Sequence, residues 1–189
     1  MNKRSAFAIV VGCFAVAAPL GAAAVTHWPG TRVGEQTAPA RGVPAALARN
    51  LARFDDLDYR VYSGQKWEDL HQSHATDIVV HYPDGHVTKG LEAHIAELKP
   101  LFTFAPDAKI TEHPVRFGTA DAEWTAVAGA IDGTFTKAMQ LPDGQVVPPT
   151  GKRFHLPMAT LGHWRNGVMF EEFLYWDNAS LTKQIGLGQ

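Results

Sequence analysis

Beyond Asp107 the sequence is written almost wholly in strand-forming runs, and that half of the chain decides the fold class. Runs at 109–117, 122–132, 134–141, 153–165 and 168–177 are rich in β-branched and aromatic residues. Asp132-Gly133, Pro142-Asp143-Gly144 and Asn166-Gly167 read as the bends between them. A meander of this length is antiparallel and needs cover on at least one face. The first half supplies it. Pro44 fits a first helical position, and Leu47, Leu51, Phe54 and Val61 follow at helical spacing, which predicts a helix over 44–62. Ser63-Gly64 breaks it. A short helix over 67–74 follows, with Leu70 inward, then a strand over 77–82 and turn chemistry at Pro83-Asp84-Gly85. Gly90 opens a further helix with Leu91, Ile95, Leu98 and Phe102 on one stripe, and Pro100 predicts a kink there or an end near Lys99. Helices, one strand, a helix and a long meander make an α+β domain, with helices on one face of a curved sheet.

The N-terminus has a different logic. Lys3-Arg4, the apolar run from Ser5 to Ala18 and the small residues Ala22-Ala23-Ala24 read as an export signal over 1–24, cut before Val25. Two alternatives stay open. The uncharged stretch from Ser5 to Val25 is near the length of an uncleaved membrane anchor, and Val10-Val11-Gly12-Cys13 resembles a lipobox. Each places the folded part outside the cytoplasm, periplasmic or secreted, with membrane contact only through this segment. Residues 25–43 lack periodicity and read as a tether, which leaves 44–189 as the domain. A chain of 189 residues with 46% apolar content suits one core. Its net charge of -2 and the lack of a basic stripe speak against nucleic acid as a partner. Cys13 is the single cysteine, so cleavage would leave no thiol nucleophile and no cysteine zinc site.

The last hairpin carries most of the chemistry, and its register depends on the turn. A two-residue Asn166-Gly167 loop sets Arg165 against Val168 and His163 against Phe170, with Asp177 on the other face. A three-residue loop sets Trp164 against Val168, His163 against Met169 and His155 against Asp177. Arg153, His155, Leu161, His163, Glu171, Phe173, Tyr175 and Asp177 then share one face. Phe154, Leu156, Met158, Trp164, Phe170, Leu174 and Trp176 share the other. A slip of one residue moves every side chain across the sheet. The turn sequence favours two residues, and the chemistry of the polar face favours three. Both faces are apolar enough to need cover, so the one without helices is expected to pair two copies as a homodimer through the sheet.

Several segments together resemble a known family: Tyr82-Pro83-Asp84-Gly85, Gly90-Leu91-Glu92-Ala93, Pro149-Thr150-Gly151-Lys152, His163 to Gly167, Glu171-Glu172-Phe173, Trp176-Asp177 and Leu181 to Leu187. In that order they are similar to the SnoaL-like polyketide cyclases, or ester cyclases, of the NTF2-like superfamily. The resemblance spans Leu47 to Leu187 and implies a conical α+β barrel around a deep pocket, with no metal and no organic cofactor. It also implies intramolecular aldol closure of a polyketide ester, with an aspartate of the last strand as general acid/base. By position Asp177 resembles that aspartate, His163 its partner histidine and His81 a second pocket histidine. The export signal departs from this pattern, because such cyclases act beside a cytosolic synthase.

An aldol closure needs a base near an acidified carbon and a donor for the enolate oxygen. Asp177 with His163 and His155 is one such set. The alternative is that Asp177 caps a final helical turn at Asn178–Gln184. His81 is a pocket donor or a rim residue. Tyr59, Tyr62, Trp67, Trp124, Phe173 and Tyr175 line the cavity for a small apolar molecule or pack the core. Asp132 and Glu171 are extra pocket carboxylates or partners of Arg153 and Arg165. His71, His74, His81 and His86 invite a metal reading, but their spacing is loose and no carboxylate set completes it, so none is expected. The function expected is an exported, cofactor-free pocket enzyme using acid/base chemistry on a small apolar carbonyl compound. The alternative is a non-catalytic ligand- or partner-binding domain of the same fold.

Overall fold

A computed structural model describes residues 42–141 and 143–188. The expected export segment and all but the last two residues of the expected tether lie outside the described residues. α1 (Ala45–Asp56) runs into a π-helical turn, Leu57–Tyr62, and the two together fill the predicted helix. Pro44 caps α1 rather than opening it. A 3-10 helix, Trp67–Gln72, ends before β1 (His74–His81), so His74 belongs to a strand and not to the short helix. β2 (Val87–Lys89) follows, a three-residue edge strand that the sequence reading lacked.

α2 spans Leu91–Phe104 straight through Pro100, against the expected break. The proline sits in the last part of the helix, where its missing N–H costs a single bond. Phe102 and Phe104 beyond it are buried, and that packing holds the final turn. The remaining elements are β3 (Val115–Gly118), β4 (Trp124–Thr134), β5 (Met139–Gln140), β6 (Val146–Val147), β7 (Arg153–Arg165), β8 (Val168–Trp176) and α3 (Asn178–Gln184).

Three strand predictions change. The run at 109–117 touches β4 only by a Lys109–Asp132 bridge before β3 proper. Asp132-Gly133 is not a bend, for β4 continues through it. Gly133 is there because a Cβ would lie 2.5 Å from the Phe154 ring, a close approach rather than a turn. The run at 134–141 leaves the ladder. Phe135 donates to the Lys152 carbonyl, Thr136 and Lys137 donate to Phe104, and the β5–β6 hairpin stands apart.

The main sheet has the order β2-β1-β8-β7-β4-β3. β1 lies parallel to β8 and the other pairs are antiparallel. The last hairpin combines the two registers considered. Asn166 and Gly167 (φ 54° and 77°) form a two-residue turn that pairs Arg165 with Val168. One extra residue then follows in β8, so that Trp164 pairs with Met169 and His163 with Glu171. This bulge at Phe170 restores the face composition of the three-residue loop without the loop.

The inner face of the sheet is covered by α1, the π-turn and α2. Phe54, Leu57, Val61, Leu70, Ile78, Val80, Val127, Trp164 and Met169 form one core cluster there. A second is built from Tyr62, Phe102, Phe104, Ile131, Phe135, Phe154 and Leu156. The space under the concave face, where a deep pocket was expected, is largely filled by these side chains. Among the described residues no helix is long and apolar enough to cross a membrane.

Candidate functional site

The expected catalytic set does not come together. Asp177 is the N-cap of α3, exposed, its Oδ1 accepting from Ala179 N–H at 2.9 Å. The cap reading therefore holds, and Asp177 is exposed rather than set in a cavity with His163 or His155. His155 is exposed and pairs with Asp132 at 2.9 Å. It stands opposite Asp132 on the β4 side, and on the β8 side the ladder puts Asp177 at the Pro157 position, two residues from His155. His163 lies six residues along β7 from the Pro157 position that neighbours Asp177, roughly 20 Å away at strand rise.

His163 instead belongs to a cluster on the outer face of the sheet. It stacks on Trp124 at 4.0 Å, while His81 stacks on Phe173 at 4.2 Å. Glu171 joins the two, accepting from His81 at 3.1 Å and from His163 at 3.2 Å. The His163 contact and the His81 contact outweigh the partial burial of Glu171, holding its carboxyl below the usual range. Tyr175 is exposed on the same face. Trp124, Phe173, His81 and Tyr175 thus line no interior cavity. Tyr62 and Trp67 are core aromatics, packed edge-on against Phe102, and Tyr59 lies against His113 at the surface.

The inner face holds different polar groups. Glu172 points inward beside Trp164, Leu174 and Trp176 on the core side of β8, and it is 4% exposed. His74 at the start of β1 and His94 on α2 meet it there, each 2% exposed. Glu172 Oε2 lies 3.6 Å from His74 Nε2 and 3.5 Å from His94 Nε2. Neither His74 Nε2 nor Glu172 Oε2 has a hydrogen-bond partner among the described residues. Other atoms orient the two imidazoles. Ser73 Oγ is 2.8 Å from His74 Nδ1, and Tyr82 Oη is 2.8 Å from His94 Nδ1. Burial opposes ionisation of Glu172, but the facing imidazoles outweigh it and hold the carboxyl below its ordinary value. Burial pushes His94 down to about 4 against the pull of Glu172.

A second buried pair supports this side of the domain. His113 lies between Asp55 Oδ1 at 2.9 Å and Asp58 Oδ2 at 2.8 Å, with Arg116 on the far side of Asp55. Burial works against its charge, yet the two aspartates raise its pKa above the usual value. Burial raises Asp58 in turn, against the pull of His113.

An open groove of about 330 Å³, lined by Arg49, Arg53, Asp56, Asp69, Gln72 and Ser73 among others, reaches the residue next to His74. Sequence reasoning missed the inner cluster, although its signals were present. His94 follows Leu91 by three residues on the apolar stripe of α2, and His74 shares parity with Ile78 and Val80. Each is a polar residue written into an apolar face.

A family model described as SnoaL-like polyketide cyclase matches residues 52–185. Solved structures share the fold. A Xanthomonas campestris pv. campestris protein assigned as a polyketide cyclase superposes with a TM-score of 0.65 at 14% identity, covering 75% of this chain and 100% of its own. A SnoaL-like protein from Jannaschia sp. CCS1, also assigned as a polyketide cyclase, gives 0.63 at 17%, covering 79% and 97%. A Catenulispora acidiphila protein of ketosteroid isomerase-like fold, in complex with trimethylamine, gives 0.56 at 16%, covering 73% and 92%. No curated protein matches the chain. At these identities the structures speak for the fold, an NTF2-like α+β cone, and not for a reaction.

Proposed function

The chain belongs to the SnoaL-like polyketide cyclase family, and from that premise we propose that it is a pocket enzyme that enolises a small apolar carbonyl compound at Glu172. The observation that carries this is the buried Glu172 Oε2 atom, without a hydrogen bond and facing two imidazoles. An ionised carboxylate screened from water is a base for a carbon acid held against it. The facing imidazoles keep Glu172 ionised at the expense of its basicity, which restricts the substrate to a carbon acidified by two carbonyls. When Tyr82 Oη donates to His94 Nδ1, the His94 Nε2–H that faces Glu172 is a donor for the enolate oxygen in the metal-free site. The groove at Ser73, one residue from His74, is the proposed approach. Export, with the domain acting in the periplasm or outside the cell, and pairing of two copies through the outer aromatic face complete the proposal.

Deuterium exchange at the central carbon of simple 3-oxo esters, followed by NMR with the full chain, tests it. Exchange above the buffer rate that is lost in Glu172→Gln and kept in Asp177→Asn is the expected result. No acceleration by the wild-type chain, or equal acceleration by Glu172→Gln, ends the proposal. A second reading, a non-catalytic partner-binding domain, is favoured by the side chains that fill the concave face. It predicts no exchange by the wild-type chain.

A further inference from the structure

The geometry points to His74, His94 and Glu172 as a three-ligand site for a divalent first-row transition metal ion such as zinc. The Nε2, Nε2 and Oε2 atoms all lie within 4.8 Å of one another. The two separations to the carboxylate, 3.5 and 3.6 Å, are too long for N–H···O hydrogen bonds. They are close to the ~3.3 Å that separates neighbouring ligands around a tetrahedral ion with bonds near 2.0 Å. Leaving such groups buried and unsatisfied is unfavourable, and an ion between them satisfies them.

The outer contacts fit as well. Ser73 Oγ donates to the Leu70 carbonyl, so it accepts from His74 Nδ1–H, which leaves the lone pair on Nε2. Tyr82 Oη can fix His94 in the same tautomer. Imidazoles that ligate a metal commonly have their other nitrogen held in this way. Two imidazoles and one carboxylate, on a strand, a helix and a second strand, form a ligand set that zinc and other borderline ions accept, with room for one more ligand. The inference rests on the geometry of the cluster and not on the enolisation reading, because binding is measured with no substrate present.

The test uses the full chain, stripped with chelator and dialysed. Zinc binding by calorimetry and the visible d–d absorption of added Co²⁺ are the readouts. One ion per chain is expected, with a Co²⁺ spectrum of four- or five-coordinate type. Affinity should fall roughly 100-fold or more in Glu172→Gln and in His94→Ala, beyond the usual effect of losing an outer partner. Tyr82→Phe, which keeps all three ligands, should weaken binding by roughly 10-fold. His81→Ala with His163→Ala, which removes the outer histidines, should leave it unchanged. The near-isosteric Glu172→Gln keeps the test open if His94→Ala does not fold. Wild-type protein that binds no zinc, or binding lost with the outer pair but kept in Glu172→Gln, overturns the inference. Binding without exchange would leave the site standing and end the proposed reaction, and exchange without binding would do the reverse.

Discussion

Thr125→Val isolates one buried hydrogen bond that ties the last hairpin to β4. Trp164 Nε1 donates to Thr125 Oγ1 at 2.7 Å, and the two residues are 3% and 1% exposed. Valine keeps the shape of threonine and removes only the acceptor. The indole cannot turn away to find another. A Cβ on Gly162 would lie 2.9 Å from Nε1, which shows how closely the ring lies over that glycine, and Phe54 packs its edge on the other side. The N–H is then buried without a partner, which costs about 1–3 kcal/mol. For a domain of this size that lowers Tm by roughly 2–12 °C. Chemical denaturation followed by tryptophan fluorescence, with circular dichroism as a second probe, measures it. Thr125→Ser keeps the bond and should fall much closer to wild type. Trp164→Phe should cost more than Thr125→Val, since it also shrinks the ring. The double variant should cost less than the two singles together, by about 0.5–3 kcal/mol of coupling. A Thr125→Val chain within ~0.5 kcal/mol of wild type, or additive singles, would refute the claim that this bond closes the hairpin onto the core.

Three other outcomes follow from the same coordinates. Asp177→Ala removes the α3 cap and should cost about 0.5–2 kcal/mol in urea denaturation, with no effect on any exchange activity. His113, raised by Asp58 and Asp55 against its burial, stabilises the fold in its charged form. That contribution is full below the ordinary histidine pKa of ~6.5 and is lost as pH rises through the higher folded value. The denaturation midpoint of wild type should therefore fall between neutral and alkaline pH, and a His113→Gln chain should lack that fall. Phe173→Asp puts a charge on the outer face, where Phe173 stacks on His81. Sedimentation should show two copies for wild type and one for the variant, while a wild-type monomer would remove the sheet as an interface.

The strands that the sequence announced best were those with two independent signals. β7 and β8 have both alternation and an Asn-Gly turn, and they form where expected. The bulge at Phe170 has no such signal, because an extra residue changes neither composition nor the turn, yet it decides that Glu172 faces in and Glu171 out. Gly133 and Pro100 were read by local chemistry as a bend and a break. Tertiary packing overrode both, through the Phe154 ring in one case and through buried Phe102 and Phe104 in the other. His163 and His81, expected in the pocket with Asp177, instead meet Glu171 on the outer face. That error has one source. The motif placed the aspartate at the end of the last strand, and only coordinates show whether the strand ends before it.

Glu172 is where the fold and the chemistry meet, and the reason is topological. β1 pairs parallel to β8, so the start of β1 comes back beside Met169 at the start of β8, three residues before Glu172, although the two are almost a hundred residues apart. The Met169 N–H donates to the Ser73 carbonyl at 2.7 Å and fixes that approach one residue from His74. α2 packs against β1 and β2 and delivers His94. Three elements thus converge on one buried carboxylate, beside a core cluster of Phe54, Leu57, Val61, Ile78, Val80 and Met169. A core of that kind has no structural need for a charge. Replacing all three residues by apolar side chains of similar volume would be neutral or stabilising if packing alone were at stake. A His74→Leu, His94→Leu, Glu172→Leu triple variant that folds at least as stably as wild type, yet neither exchanges a carbon acid nor binds zinc, would show that the cluster is kept for its chemistry. A triple variant that fails to fold would mean that the cluster is a structural element of the core.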